Sequence, residues 1–414
     1  MASDPVFVRF LSWTAASAAG VVLLATLLVL VVDPYRLYGL VEGDFNRIKP
    51  RPERFRQEIK LRGARALRAN VFLMGNSRVE VGFDPERPPL AAPGRAAYNL
   101  AIAGTPVGTA RAELDYLRAR GRQPGMVVLG LEFLDFLLDP ALPQPRFEAA
   151  RAPRDGHAAD RLQWQAEALF SLTSVLDAIE TLGIQHRPGM QTISARGFTP
   201  LEDYRRHADQ SGYRALFQQR ALENGKLYRR KPHGLLLADG GRSIDFDELR
   251  AFMDGALAAP AEVHLLIYPY HAQILAMFEQ LGFWPQFEQW KSLLAREVDA
   301  ARATHPGARI TLWDFSGFSP LQCETIPARG DLRASTRWYW EAGHFKPALG
   351  EKIMARLLAT PAPGDEGFGV TLTRANLEQN RRRIAAERSA CQRRYPALFD
   401  EVSALLRETD GARD

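Results

Sequence analysis

An α/β fold built on a parallel sheet, preceded by one membrane-spanning helix, is what this chain predicts, and three observations carry the prediction. Near-continuous apolar runs of strand length recur along it, as strands buried on both faces require. Stretches with helical periodicity separate those runs, the alternation expected of helices covering a parallel sheet. Near the amino terminus, Leu11 to Val32 reads LSWTAASAAGVVLLATLLVLVV without a charge. A helix of that length rises about 33 Å, enough to cross the hydrocarbon core of a bilayer.

Taken in order, residues 1–10 read as a short leader and 11–32 as the anchor. Trp13 near one end and Tyr35 and Tyr38 beyond the other stand where interfacial aromatics belong. Asp33-Pro34-Tyr35 follows where a cleaved signal peptide would carry small residues, so the anchor reads as retained. Residues 33–66 form a basic connector that turns helical near Arg54; from Arg47 to Arg68 its cations are opposed only by Glu53 and Glu58. Such a run suits lipid headgroups or an anionic glycan; as a bland reading it is a solvated helix face. Charge alone is all that speaks for nucleic acid. Arg36, Arg47, Lys49 and Arg51 after the helix, against Arg9 before it, would by the positive-inside rule place the large domain in the cytoplasm.

The α/β domain spans residues 67–362. Its strands are expected at Val71–Met74, Ala96–Leu100, Met126–Leu131, Val263–Tyr268 and Arg309–Phe315. Thr105–Arg120 is helical, with Val107, Ala110, Leu114 and Leu117 on one face and Gly121 as its stop. Phe278–Ala303 carries a second helical pattern, with Trp290, Leu293, Leu294 and Val298 as core positions. Residues 140–261 interrupt the rhythm with amphipathic segments, Leu162–Leu182 and Leu201–Leu227, and read as a helical insertion beside or over the site. Residues 363–414 read as a basic helical tail, with Arg381-Arg382-Arg383 and Arg393-Arg394.

With 414 residues, 46% hydrophobic and 24% charged, the chain is globular in composition and can bury a large core. Cys323 and Cys391 fit no zinc spacing or disulfide framework, and leave a single bridge open. No HExxH occurs, and Asp239-Gly-Gly-Arg242 lacks the Lys-Ser/Thr of a phosphate loop, so no metal or other cofactor is expected.

In open parallel sheets, ligands gather beyond the carboxyl ends of the strands. Here those ends carry Gly75-Asn76-Ser77-Arg78, then Asn99 to Gly104, then Gly130-Leu131-Glu132-Phe133, then Tyr268-Pro269-Tyr270-His271. Downstream lies Glu341-Ala342-Gly343-His344, just before a helical pattern. Singly, each is an ordinary cap or turn, and His271 reads as packing. Together they supply the parts of an acyl-transfer site: a hydroxyl at Ser77, a base at His344 and an orienting carboxylate at Glu341. The Ser77 and Gly104 N–H groups are the candidate oxyanion donors.

The order Gly-x-Ser77, then Asn99 followed five residues later by Gly104, then Glu341-x-x-His344, resembles the SGNH (GDSL-type) hydrolase superfamily over roughly residues 67–360. That resemblance implies a three-layer, flavodoxin-like parallel sheet, with Ser77 as nucleophile and Gly104 in the oxyanion hole. The Asn-Ser-Arg variant with an amino-terminal anchor and a helical insertion is similar to bacterial envelope acyl-transfer proteins that O-acetylate exopolysaccharides or alanylate teichoic acid. It implies a single-pass inner-membrane protein facing the periplasm, an envelope glycan as substrate, and a membrane acyl-donor protein as partner of a transferase. Two positions depart from the family: Glu132 stands where its third block has an oxyanion-donating Asn, and Glu341 replaces Asp. An ionised carboxylate cannot donate, so either Asn76 or Asn99 compensates, with Arg78 beside them, or hydrolytic power is reduced. A catalytically silent, glycan-binding scaffold is the competing expectation.

Overall fold

The apolar runs form the strands, and the punctuating residues decide where helices break. The computed structural model describes residues 5–142, 153–154, 158–187, 190, 192–360 and 367–411. Residues 1–4 of the expected leader, parts of the expected insertion, residues 361–366 around the expected end of the α/β domain and residues 412–414 of the expected tail lie outside the described residues. In chain order come α1 (Pro5–Val32), α2 (Arg56–Ala66), β1 (Val71–Met74), α3 (Ser77–Gly82), β2 (Ala97–Asn99), α4 (Val107–Ala119) and β3 (Met126–Leu131). There follow α5 (Ala158–Phe170), α6 (Leu172–Ile184), α7 (Glu202–Tyr228), α8 (Ile244–Leu257), β4 (Glu262–Ile267), α9 (Ala272–Gln280) and α10 (Trp284–Thr304). The chain closes with β5 (Arg309–Asp314), β6 (Tyr339–Glu341), β7 (His344–Phe345), α11 (Pro347–Leu357), β8 (Val370–Thr371), α12 (Leu377–Arg394) and α13 (Pro396–Gly411).

Two units divide the chain: residues 1–62 with 153–193, and residues 63–152 with 194–414. In the first, α1 is a 28-residue helix, long and apolar enough to cross a membrane. It begins before Leu11 because Val6 to Phe10 continue the helix, with Arg9 as the only charge. Its last carbonyls, orphaned as at any helix end, are met by side chains. The Asn46 amide donates to the Val31 and Val32 oxygens at 3.3 and 3.1 Å, and the Lys49 ammonium to Val32 at 3.0 Å. Burial holds that ammonium down at about 8. Asp33 accepts three N–H groups, from Leu37, Tyr38 and Gly39, and so turns the chain away from the helix. The connector then packs Tyr35, Leu37, Phe55 and Ile59 around Trp164 of α5. Two cations of the basic run are ion-paired within this unit, Arg51 with Glu180 and Arg54 with Asp177.

The second unit holds a six-stranded sheet, ordered β2-β1-β3-β4-β5-β8. All pairings are parallel except the antiparallel edge β5–β8. Every residue of β1 and β3 is buried, which is why those runs carry no alternation. The pattern from Phe278 to Ala303 divides into α9 and α10 at Gly282, whose φ of +78° no helix accepts. The expected tail is part of this unit. Its β8 pairs with β5, the Cys323–Cys391 disulfide joins α12 to the loop after β5, and Asn380 donates to the buried Asp314 at 2.7 Å. Arg381 and Arg383 are ion-paired with Glu288 and Glu387.

Candidate functional site

The candidate nucleophile is presented by the turn from β1 into α3. Gly75 takes a φ of +135°, and a Cβ there would lie 3.0 Å from both the Gly130 carbonyl and the Tyr268 hydroxyl. Only glycine allows the turn and the close approach. Asn76 then caps α3, its side-chain oxygen accepting the Arg78 N–H at 3.1 Å. Ser77 is the first helical residue, so its own N–H has no acceptor within the helix.

His344 and Glu341 face each other across the β6–β7 hairpin, separated only by Ala342 and Gly343. The Glu341 carboxylate is fully buried, accepts the Gly343 N–H at 2.8 Å, and is hydrogen-bonded to His344 Nδ1. Burial by itself would raise its pKa. The His344 imidazole, the Gly343 amide and the Arg220 charge outweigh that and hold it below the ordinary carboxylate value. An ionised carboxylate can only accept, so Nδ1 carries the proton and Nε2 is left as the acceptor. At 2.8 Å from Nε2 lies Ser77 Oγ.

Close packing brings the two halves together. A Cβ on Gly82 of α3 would fall 2.1 Å from the ring of Phe345 on β7, so this glycine lets the nucleophile helix seat against the hairpin. The Phe83 and Phe345 rings meet edge to face at 5.5 Å. From the other side, the His271 N–H donates to the Ala342 carbonyl at 3.3 Å, and the Tyr339 hydroxyl to Pro269 at 2.7 Å.

His271 itself is structural. Its Nδ1 accepts the Gln273 N–H at the start of α9, and Nε2–H donates to the Glu324 carbonyl at 2.9 Å. Burial pushes the ring down to about 4 from an ordinary 6.5. Between those values the unfolded chain binds a proton that the folded ring refuses. The contribution is therefore complete above pH 6.5 and lost as pH falls through about 4, a swing of about 3 kcal/mol. In urea melts from pH 7 to pH 4, His271→Asn should lack that share of the wild-type acid destabilisation. Equal slopes for the two proteins would show that the ring does not resist protonation.

The remaining candidates divide between rim and support. Gly104 lies in the loop after β2 with a φ of +71° and open space where a side chain would be. Its loop is fixed beside the nucleophile turn by Ile102 N–H to the Gly75 carbonyl, at 3.1 Å, and by Ala103 N–H to the Glu80 carboxylate, at 2.9 Å. Asn99 is buried completely, and its amide donates to the carbonyls of Val79, Glu80 and Phe83. That amide braces the nucleophile helix from below and is no free donor at the rim.

Glu132, which follows β3, lies against the Ser77 turn. It forms a buried ion pair with Arg78 and accepts the Tyr270 hydroxyl at 3.0 Å. The Arg78 guanidinium lies over the Tyr270 and Tyr268 rings at 5.1 and 5.4 Å. The charge that would repel an oxyanion is thus balanced beneath the nucleophile turn.

Several contributors had no local signal. Glu80, buried on α3, holds both the Gly104 loop and the Thr199 hydroxyl, the latter at 3.0 Å. Tyr204 of α7 stands edge-on to the His344 ring at 5.9 Å, and Arg220 lies over Tyr204 at 5.3 Å. Farther along α7, Tyr213 stacks on Trp340 and accepts from Lys346 at 2.7 Å, an ammonium that burial lowers to about 8. The portion of the expected insertion in this unit therefore does flank the site. No family model, curated protein or solved structure matches this chain.

Proposed function

We propose that the protein is a membrane-anchored, SGNH-like serine esterase or O-acyltransferase that acts on acyl esters, chiefly acetyl, of an envelope glycan. The observation that carries this reading is Ser77 Oγ at 2.8 Å from His344 Nε2, on a ring whose other nitrogen is held by Glu341. Ser77 attacks the ester carbonyl as His344 takes its proton, and the Ser77 and Gly104 N–H groups receive the oxyanion. Collapse expels the alcohol, which takes the proton from His344, and leaves Ser77 acylated. Water, in an esterase, or a glycan hydroxyl, in a transferase, then attacks with His344 again as base and regenerates the serine.

The strand order β2-β1-β3-β4-β5 supports the flavodoxin-like reading, with Ser77 at the crevice where that order reverses. The Cys323–Cys391 disulfide supports an oxidising compartment, hence a periplasmic domain, against the basic flank after α1. The glycan and the acyl-donor partner rest on the family resemblance. Glu132 in place of a donor favours the silent scaffold as the second reading.

Hydrolysis of p-nitrophenyl acetate and of an O-acetylated polysaccharide separates the two. The enzyme reading expects turnover that falls at least about 10³-fold in folded Ser77→Ala. Turnover equal in both proteins removes the enzyme reading, as does a wild type that neither hydrolyses these esters nor transfers acetyl from p-nitrophenyl acetate to a glycan hydroxyl.

A further inference from the structure

Helix α6 is built inside out. Its buried face carries Ser174, Asp177 and Thr181, while Leu172, Leu176, Ile179 and Leu182 are 74%, 56%, 54% and 42% exposed. At helical spacing Leu172, Leu176 and Ile179 form one stripe, continued by Gly183, where a side chain would meet open space. A helix of a water-soluble surface places its apolar stripe inward. Here the polar face is the one with internal partners. Asp177 accepts from the Tyr35 hydroxyl at 2.6 Å and from Arg54 at 2.5 Å, and Gln185, just beyond the helix, accepts the Ile48 N–H at 2.8 Å.

The level of this stripe is set by what α6 packs on. Ala178 lies against Val29 and Val32, the last turn of α1, with Leu28, Leu169 and Val175 around them. The two acids of α6, Asp177 and Glu180, are both ion-paired, with Arg54 and Arg51. Phe170, the last residue of α5, is also exposed. In the other unit, Leu142, Leu227 and Leu332 are the exposed large apolar side chains among the described residues, and they are scattered.

We infer that α6 is a monotopic membrane element whose Leu172–Leu176–Ile179 face beds into the acyl-chain boundary of the leaflet where α1 emerges. The inference rests on the reading of α1 as a membrane anchor. Continuity with α1 names the occupant as lipid: an element packed on the last turn of a spanning helix stands at the bilayer surface. Residues 153–193 thus give the anchor a second attachment, parallel to the membrane, that resists rotation of the connector about α1.

The test uses the full chain in single-copy phospholipid nanodiscs. Leu24→Cys, Leu176→Cys, Ile179→Cys and Leu332→Cys each carry a maleimide-linked environment-sensitive fluorophore, with the native disulfide intact. Labels at positions 24, 176 and 179 should be quenched by nitroxide on lipid acyl chains, and be quenched by aqueous iodide several-fold less than the label at 332. If 24 meets lipid while 176 and 179 meet iodide as 332 does, α6 faces water; the inference falls and the anchor stands. Shielding of 176 and 179 from both quenchers means that another protein chain covers the face, and also overturns it. A label at 24 that escapes the lipid nitroxide removes anchor and inference together.

Discussion

Under the proposed serine-esterase function, replacing His344 by alanine is expected to lower acyl-ester turnover by about 10⁶-fold, and Glu341→Gln by about 10⁴-fold, with the fold intact in both. The larger loss follows because Nε2 is the only base within hydrogen-bonding distance of Ser77 Oγ among the described residues. The Glu341→Gln loss has a different origin. A carboxamide can present its NH2 to Nδ1, which then becomes the acceptor and moves the ring proton to Nε2, where it opposes the serine proton. The Gly343 N–H requires an oxygen at one end of the side chain, so the NH2 is the end left facing Nδ1. Values of kcat/KM for p-nitrophenyl acetate, with thermal melts to establish folding, check both. If Glu341→Gln retained a tenth or more of wild-type turnover, the carboxylate would not be orienting the base.

Removing the Glu132 carboxylate is the second large effect, and it falls on stability. Arg78 and Glu132 are paired and nearly buried, so Glu132→Ala leaves a guanidinium uncompensated among Tyr268, Tyr270 and Tyr228. Breaking one side of a buried pair costs about 3–5 kcal/mol, whereas replacing both partners by apolar groups is often near neutral. Glu132→Ala should therefore unfold at markedly lower urea concentration, and Arg78→Met combined with Glu132→Leu should recover most of the loss. Glu132→Asn supplies an amide donor at this position, yet it too strands Arg78, so it is expected to destabilise the protein without raising turnover. A Glu132→Ala loss under about 1 kcal/mol would mean that the pair is not a tie under the nucleophile turn.

The strands were legible because a parallel strand buried on both faces has no choice but an unbroken apolar run, and β1 and β3 coincide with the expected runs residue for residue. The nucleophile turn was legible because Gly75, Asn76 and Ser77 each carry a backbone or capping requirement in their own identity. The hairpin was not. Glu341 and His344 stand on strands of three and two residues, too short for any periodicity, so their spacing reads equally as a helix cap. The surroundings of Asn99 and Glu132 were not legible for a nonlocal reason: their partners are Val79, Phe83, Arg78 and Tyr270 from other elements. The same limit hid the division of the helical insertion. Amphipathicity shows that a helix has two faces, but α6 wears its polar face inward, and only its packing on α1 reveals that.

Covalent labelling of the nucleophile tests the central claim most directly. A fluorophosphonate added to the folded protein, followed by peptide mass mapping, should place one adduct on Ser77. Ser77→Ala should carry none, and His344→Ala should acquire it only at a severely reduced rate. An unmodified wild type, or an adduct on a different serine, would contradict the account.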